Sequence, residues 1–67
     1  MLRDINEIRR IRKRLNLTQT ELAHKADVSQ SLIAKIENKT AMPSYENGKR
    51  ILETLESLII SNKNNFK

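Results

Sequence analysis

Ile5, Ile8, Ile11 and Leu15 recur at intervals of three and four residues, the spacing that gathers side chains on one stripe of an α-helix. The pattern predicts a first helix from about Asp4 to Leu15, with Asp4 and Glu7 as a capping pair. Asn16 follows where the chain must turn, and Asn tolerates the left-handed conformation that often closes a helix. Thr18-Gln19-Thr20-Glu21 is a T-x-x-E capping box flanked by Leu17 and Leu22, which can close as a hydrophobic staple. A short second helix from Gln19 to about Ala26 is therefore expected. Asp27 supplies the next turn residue, Ser29 the cap of a third helix from Gln30 to about Asn38, and Val28 with Ile33 a second staple. Pro43-Ser44 restarts the chain, and Ser44 caps a fourth helix on which Gly48, Ile51, Leu52, Leu55 and Ile59 share one face.

No glycine or proline interrupts the chain after Leu55, so this helix is expected to continue to about Ile60, with Ser61 to Lys67 a polar, fraying tail. Gly48 costs roughly 1 kcal/mol of helix propensity relative to Ala, and close approach of another helix is the expected reason for it. One Gly, one Pro and no alternating stretch leave strands nowhere to form. The fold class is all-α, a compact bundle of four to five helices in one domain, residues 1–60, followed by the tail 61–67. The second and third helices are separated by only about three residues, so they must cross steeply instead of lying antiparallel.

Composition narrows the partners. At 67 residues the chain is near the lower limit for a fold held by one apolar core. Cysteine is absent, which excludes disulfides, thiolate metal sites and a cysteine nucleophile and suits a reducing cytoplasm. The longest apolar run, Leu58-Ile59-Ile60, is far short of a membrane span, so the protein reads as soluble and cytoplasmic. Thirteen Lys and Arg against eight Asp and Glu give a net charge of +5, and five of the six residues from Arg9 to Arg14 are basic. Nucleic acid or an anionic membrane is the natural partner of such a surface, although a solvated helix face has the same composition. Tyr45 and Phe66 are the only aromatic residues, which argues against the stacking platforms of single-strand binders. His24 is the only histidine, expected on the surface of the second helix, and cannot build a metal site alone. Ser29 and Ser31 lack a base partner, so no enzyme is expected. Neither a cofactor nor a small-molecule site is evident.

Two short helices, a tight turn between them and a second helix with a small, polar outer face make a helix-turn-helix. The stretch LTQTELAHKADVSQSLIAKIEN, Leu17 to Asn38, resembles the Cro and phage-repressor helix-turn-helix family, also called XRE-like or lambda-repressor-like. The shared features are L-T-Q-x-E-L-A at its start, V-S-Q-S-x-I entering the second helix of the motif, I-E-N at its end, and P-S opening the next helix. Together they span Ile8 to Leu55.

The resemblance implies double-stranded DNA as partner and a role in transcription, most often repression, by homodimers on half-sites about 34 Å apart. Physical chemistry of the outer face agrees. Ile33 and Ile36 can point inward together, leaving Gln30, Ser31, Ala34 and Lys35 outward. Gln30, the first residue of that helix, can meet adenine N7 and N6-H at once. Ser31 offers a short hydroxyl, and Lys35, one turn on, reaches a guanine edge or a phosphate, with the base preferred. Leu32 borders the two faces, and Ala34 keeps the surface low. By resemblance, Gln19 contacts a phosphate and braces Gln30, Asn38 touches the DNA backbone, and Arg12 pairs with Glu37 to clamp the first helix to the end of the recognition helix. Lys39 and Asp27 stand where the family usually has Gly; the first bears on the local turn and so on the aim of Asn38. Arg9 and Arg14 are candidate phosphate contacts from the basic cluster, and Leu58, Ile60 and Phe66 are candidates for a dimer surface.

Two other classes use the same features. An antitoxin or bridging coactivator would employ the fold for protein contacts, since fold does not fix function. A membrane-surface helix would use the basic, amphipathic first helix, but a four-helix bundle accounts for its apolar stripe without lipid.

Overall fold

The computed structural model describes residues 5–64. A 3-10 turn, Ile5–Glu7, leads into α1, Ile8–Arg14; then follow α2, Gln19–Ala26, α3, Gln30–Glu37, and α4, Tyr45–Asn64. No strand occurs among the described residues, and the chain is all-α.

Apolar spacing explains how the helices meet. Ile8 and Ile11 of α1, Leu22, Ala23 and Ala26 of α2, Ile33 and Ile36 of α3, and Ile51 and Leu55 of α4 form one buried cluster. Ile5, Leu15, Val28, Leu32, Leu52 and Ile59 pack at its edge. Burying one Ile or Leu side chain completely stabilises the fold by roughly 1.5–3 kcal/mol. Ile33 is completely buried and Ile36 nearly so, and these two anchors hold an eight-residue helix too short to persist alone.

The starts of α2, α3 and α4 are each capped by a side chain just before the helix. In α2 the Glu21 N–H donates to Thr18 Oγ1 at 3.0 Å while the Thr18 N–H donates to Glu21 Oε1 at 2.8 Å, the reciprocal box. Ser29 Oγ accepts the Leu32 N–H at 3.1 Å, and Ser44 Oγ accepts the Asn47 N–H at 3.2 Å.

The exits of α1, α2 and α3 repeat one device. At the first, Leu17 N–H donates to the Arg12 carbonyl at 3.1 Å and Asn16 N–H to the Lys13 carbonyl at 3.0 Å. After α2 the same two bonds join Val28 to Ala23 and Asp27 to His24; after α3 they join Thr40 to Lys35 and Lys39 to Ile36. This is the Schellman pattern, which needs a left-handed residue at its centre. Asn16, Asp27 and Lys39 supply it at φ 60, 60 and 62°. Lys39 thus keeps the turn that glycine usually makes, and Asn38 precedes it in ordinary right-handed geometry.

Three expectations need correction. The first helix is not one regular α-helix: the chain enters α1 through a tighter 3-10 turn, Ile5–Glu7, as helix ends often do, and the Glu7 carboxylate reaches forward to Arg10 Nη2 at 2.9 Å. Asp4 lies outside the described residues. The fourth helix runs to Asn64, past Ile60, because Ser61 and the residues after it carry no helix breaker. Gly48 is not forced by a close helix approach. A Cβ there would meet Pro43 Cγ at 3.4 Å and Ile5 Cδ1 at 3.9 Å, ordinary contact distances.

Candidate nucleic-acid interface

With Ile33 and Ile36 buried, the opposite face of α3 is turned outward: Gln30, Ser31 and Lys35 are exposed, Ala34 and Leu32 half-buried. Asn38, just beyond the helix, is exposed as well. Gln30 begins the helix beside the Ser29 cap, so its amide stands at the end where free backbone N–H groups favour negative charge.

Behind this face lies a continuous hydrogen-bonded chain through three helices. Arg12 Nε donates to Glu37 Oε2 at 2.7 Å and Arg12 Nη2 to Glu37 Oε1 at 2.9 Å. Arg12 Nη1 also donates to the Leu17 carbonyl at 2.7 Å, tying the pair to the loop before α2. Gln19 Nε2 donates to Glu37 Oε1 at 3.1 Å, and Gln30 Nε2 donates to Gln19 Oε1 at 2.8 Å. The side chains of Arg12 and Glu37 are 10% and 3% exposed, so the fork-to-fork pair is shielded while its far end, Gln30, meets solvent.

Electrostatics follow the geometry. Burial pushes the Glu37 carboxyl up, but hydrogen bonds from Arg12 and Gln19, with the charges of Arg12 and Arg9, outweigh burial and hold it below its ordinary value. The hydrogen bond to Glu37 leads in raising the Arg12 guanidinium above its own, against the opposing effect of burial. Glu37 is therefore ionised at neutral pH and only accepts hydrogen bonds. Gln30 spends one amide hydrogen on Gln19, and its Oε1 and second hydrogen remain for a ligand. Gln19 likewise keeps one amide hydrogen.

The basic cluster divides by position. Arg12 turns inward, Arg10 pairs with Glu7 on the surface, and Arg9, Lys13 and Arg14 are exposed. Arg9 is near enough for its charge to act on Glu37, which places it on the side of the network. Arg50 on α4 reaches Asp27 Oδ2 at 3.7 Å and Glu46 at 3.4 Å, exposed pairs of little energetic weight. His24 is exposed, and no three of His, Cys, Asp and Glu come together among the described residues.

The link from Gln19 to Glu37 was not foreseen from sequence, where the two pairs Arg12–Glu37 and Gln19–Gln30 stood apart. A signal was present: Gln30 and Glu37 are seven residues apart, two helical turns, and lie on one stripe of α3. A side chain from α2 that reaches one can reach the other. Of the candidates for a dimer surface, Ile60 is 60% exposed, Leu58 is half-buried, and Phe66 lies outside the described residues. Met42 and Tyr45 are more exposed than Ile60 and were not singled out, because neither breaks a periodic pattern.

The family model described as Helix-turn-helix matches residues 8–58, from the first residue of α1 to far along α4. The chain belongs to the helix-turn-helix family. Its motif, α2 and α3 with the Asp27 turn between them, is of the Cro and repressor type. This helix-turn-helix protein is accordingly a DNA-binding regulator of transcription, in a family of regulators and not of enzymes. No curated protein and no solved structure matches the chain. No described helix is long and apolar enough to cross a membrane.

Proposed function

We propose that the protein is a cytoplasmic, sequence-specific repressor that binds double-stranded DNA as a homodimer and inserts α3 into the major groove. The observation that carries this reading is Gln30: exposed, at the N-terminus of α3, and held at 2.8 Å by Gln19. Its remaining carbonyl oxygen and amide hydrogen are the acceptor and donor that adenine asks for at N6-H and N7. Ser31 and Lys35 share the exposed face and complete the base contacts. Gln19, with its spare amide hydrogen, meets a phosphate, as do Asn38 and the exposed Arg9 and Arg14, which fix the register of the helix in the groove. Arg12 and Glu37 serve as the clamp behind it. Ile60 and Leu58 on α4 are the residues assigned to the partner copy.

Selection of duplexes from a random library tests the proposal directly. A single recurrent, two-fold symmetric sequence is expected, and Gln30→Ala should relax preference at one base pair per half-site, by about 1–3 kcal/mol, while affinity for unrelated duplexes barely changes. A uniform loss across all duplexes would remove Gln30 from direct readout.

A further inference from the structure

We propose that Glu37 is a positioning residue for base recognition: through Gln19 its carboxylate decides which end of the Gln30 amide faces the DNA. The inference rests on the groove-binding reading above and assigns the origin of its selectivity. It follows from who can donate to whom. A side-chain amide has one accepting end and one donating end, and rotation by half a turn exchanges them at almost no cost unless a partner objects.

Here the partners object in sequence. Arg12 has only hydrogens to offer, so it requires an acceptor, and Glu37 presents both oxygens to it at 2.7 and 2.9 Å. Glu37 Oε1 also lies 3.1 Å from Gln19 Nε2; an ionised carboxylate accepts only, so Gln19 must turn its NH2 inward. Its Oε1 is thereby left facing Gln30, where only a donor is welcome, and Gln30 turns its own NH2 toward it at 2.8 Å. The outer edge of Gln30 is left with its carbonyl oxygen on one side and one amide hydrogen on the other, in a fixed order. Reversing the amide would bring two carbonyl oxygens within hydrogen-bond distance. A buried ion pair at the far end of the helix thus sets the order of donor and acceptor that a base pair meets.

Glu37→Gln removes the one-way element while keeping size and shape. Either placement of the new NH2 opposes an Arg12 N–H, so neither sense of the Gln19 amide is enforced, and Gln30 samples both. Preference is read with the duplex recovered by selection and with the same duplex changed at the base pair that Gln30→Ala identifies. Wild-type preference there is expected to be on the order of ten- to hundredfold, falling to within about twofold in Glu37→Gln, with preferences at the other base pairs retained. Gln19→Ala is the companion variant, because it cuts the relay but leaves Arg12 and Glu37 paired and the core untouched. It should show the same loss of preference at that position even if Glu37→Gln does not fold. In the free protein, nitrogen-15 relaxation should find the Gln30 side-chain amide ordered in the wild type and mobile in Gln19→Ala. Unchanged preference in Gln19→Ala, or in folded Glu37→Gln, overturns the proposal. So does a freely rotating Gln30 amide in the wild type. An ordered amide in a protein that selects no duplex would instead overturn the groove-binding reading, which separates the two failures.

Discussion

Lys39 sits at φ 62° because the Schellman turn after α3 demands it, and a side chain in that region costs about 1–2 kcal/mol. Gly48 presents the opposite mismatch: a residue without a side chain inside a helix, with room for a Cβ against Pro43 and Ile5. Each is expected to improve on exchange. Lys39→Gly relieves the strained backbone at some cost in unfolded-chain entropy, and Gly48→Ala recovers helix propensity, about 0.5–1 kcal/mol apiece. For a domain of this size each should raise the thermal midpoint by about 2–8 °C, checked by circular dichroism melting. A fall in midpoint for Gly48→Ala would show that the Pro43 ring cannot give way. The turn positions were legible at Asn16 and Asp27, whose side chains suit a left-handed backbone. Lys39 was not, since nothing in lysine signals such a site; only the helix ending before it does. Gly48 misled because its helix penalty invited a packing explanation, whereas a Cβ there would only touch the tip of a proline ring and one methyl.

At the scale of elements, α1 enters the shared core through its apolar stripe and is tied to α3 by Arg12 on Glu37, and this ion pair carries a pH signature. The folded Glu37 carboxyl lies below its ordinary value, so its stabilisation is fully present above the unfolded value of about 4.3. As pH falls below that value and through the folded one, the contribution is lost, and the wild-type midpoint should drop with it. Arg12→Met reverses the sign. Without the guanidinium, burial, the largest single influence on Glu37, is opposed only by Gln19 and Arg9, so the carboxyl should rise and acidification toward pH 4 should stabilise the variant by allowing Glu37 to protonate. At neutral pH the same variant loses about 3–5 kcal/mol, the usual cost of stranding one member of a buried pair. It is best made in the Lys39→Gly, Gly48→Ala background to remain folded. Parallel pH profiles for the two proteins would mean that Arg12 does not govern Glu37. The helices themselves were largely readable, because staples, boxes and three- and four-residue spacings are local signals. The entry to α1 was not, as the three-residue step from Ile5 to Ile8 suits a 3-10 turn as well as an α-helix. The exit of α4 depended on the mere lack of a breaker, which sets no end point. For the Gln19–Glu37 link the seven-residue spacing of Gln30 and Glu37 was a signal, but how closely α2 approaches the far turn of α3 is a distance that no local pattern encodes.

Over the whole molecule, the net charge of +5 is unevenly placed. One arginine of the α1 cluster is consumed inside the network and another by Glu7, while Arg9 and Arg14 remain exposed. On the proposed docking these two meet phosphates, and phosphate contacts release counterions in proportion to their number. The logarithm of the binding constant should fall with the logarithm of salt concentration, and each phosphate contact removed should flatten the slope by about 0.9. A symmetric dimer loses the contact twice, so Arg14→Ala should flatten it by about 1.8, a result that reports stoichiometry along with location. Arg9→Ala should do the same, and in addition it withdraws a charge that helps keep Glu37 ionised, so its acid transition should move to slightly higher pH while that of Arg14→Ala stays put. Fluorescence anisotropy over a salt series, on the selected duplex and an unrelated one, separates these outcomes. A slope unchanged by either substitution removes that residue from the interface, and a change of about 0.9 in place of 1.8 means that one copy, not two, grips the DNA.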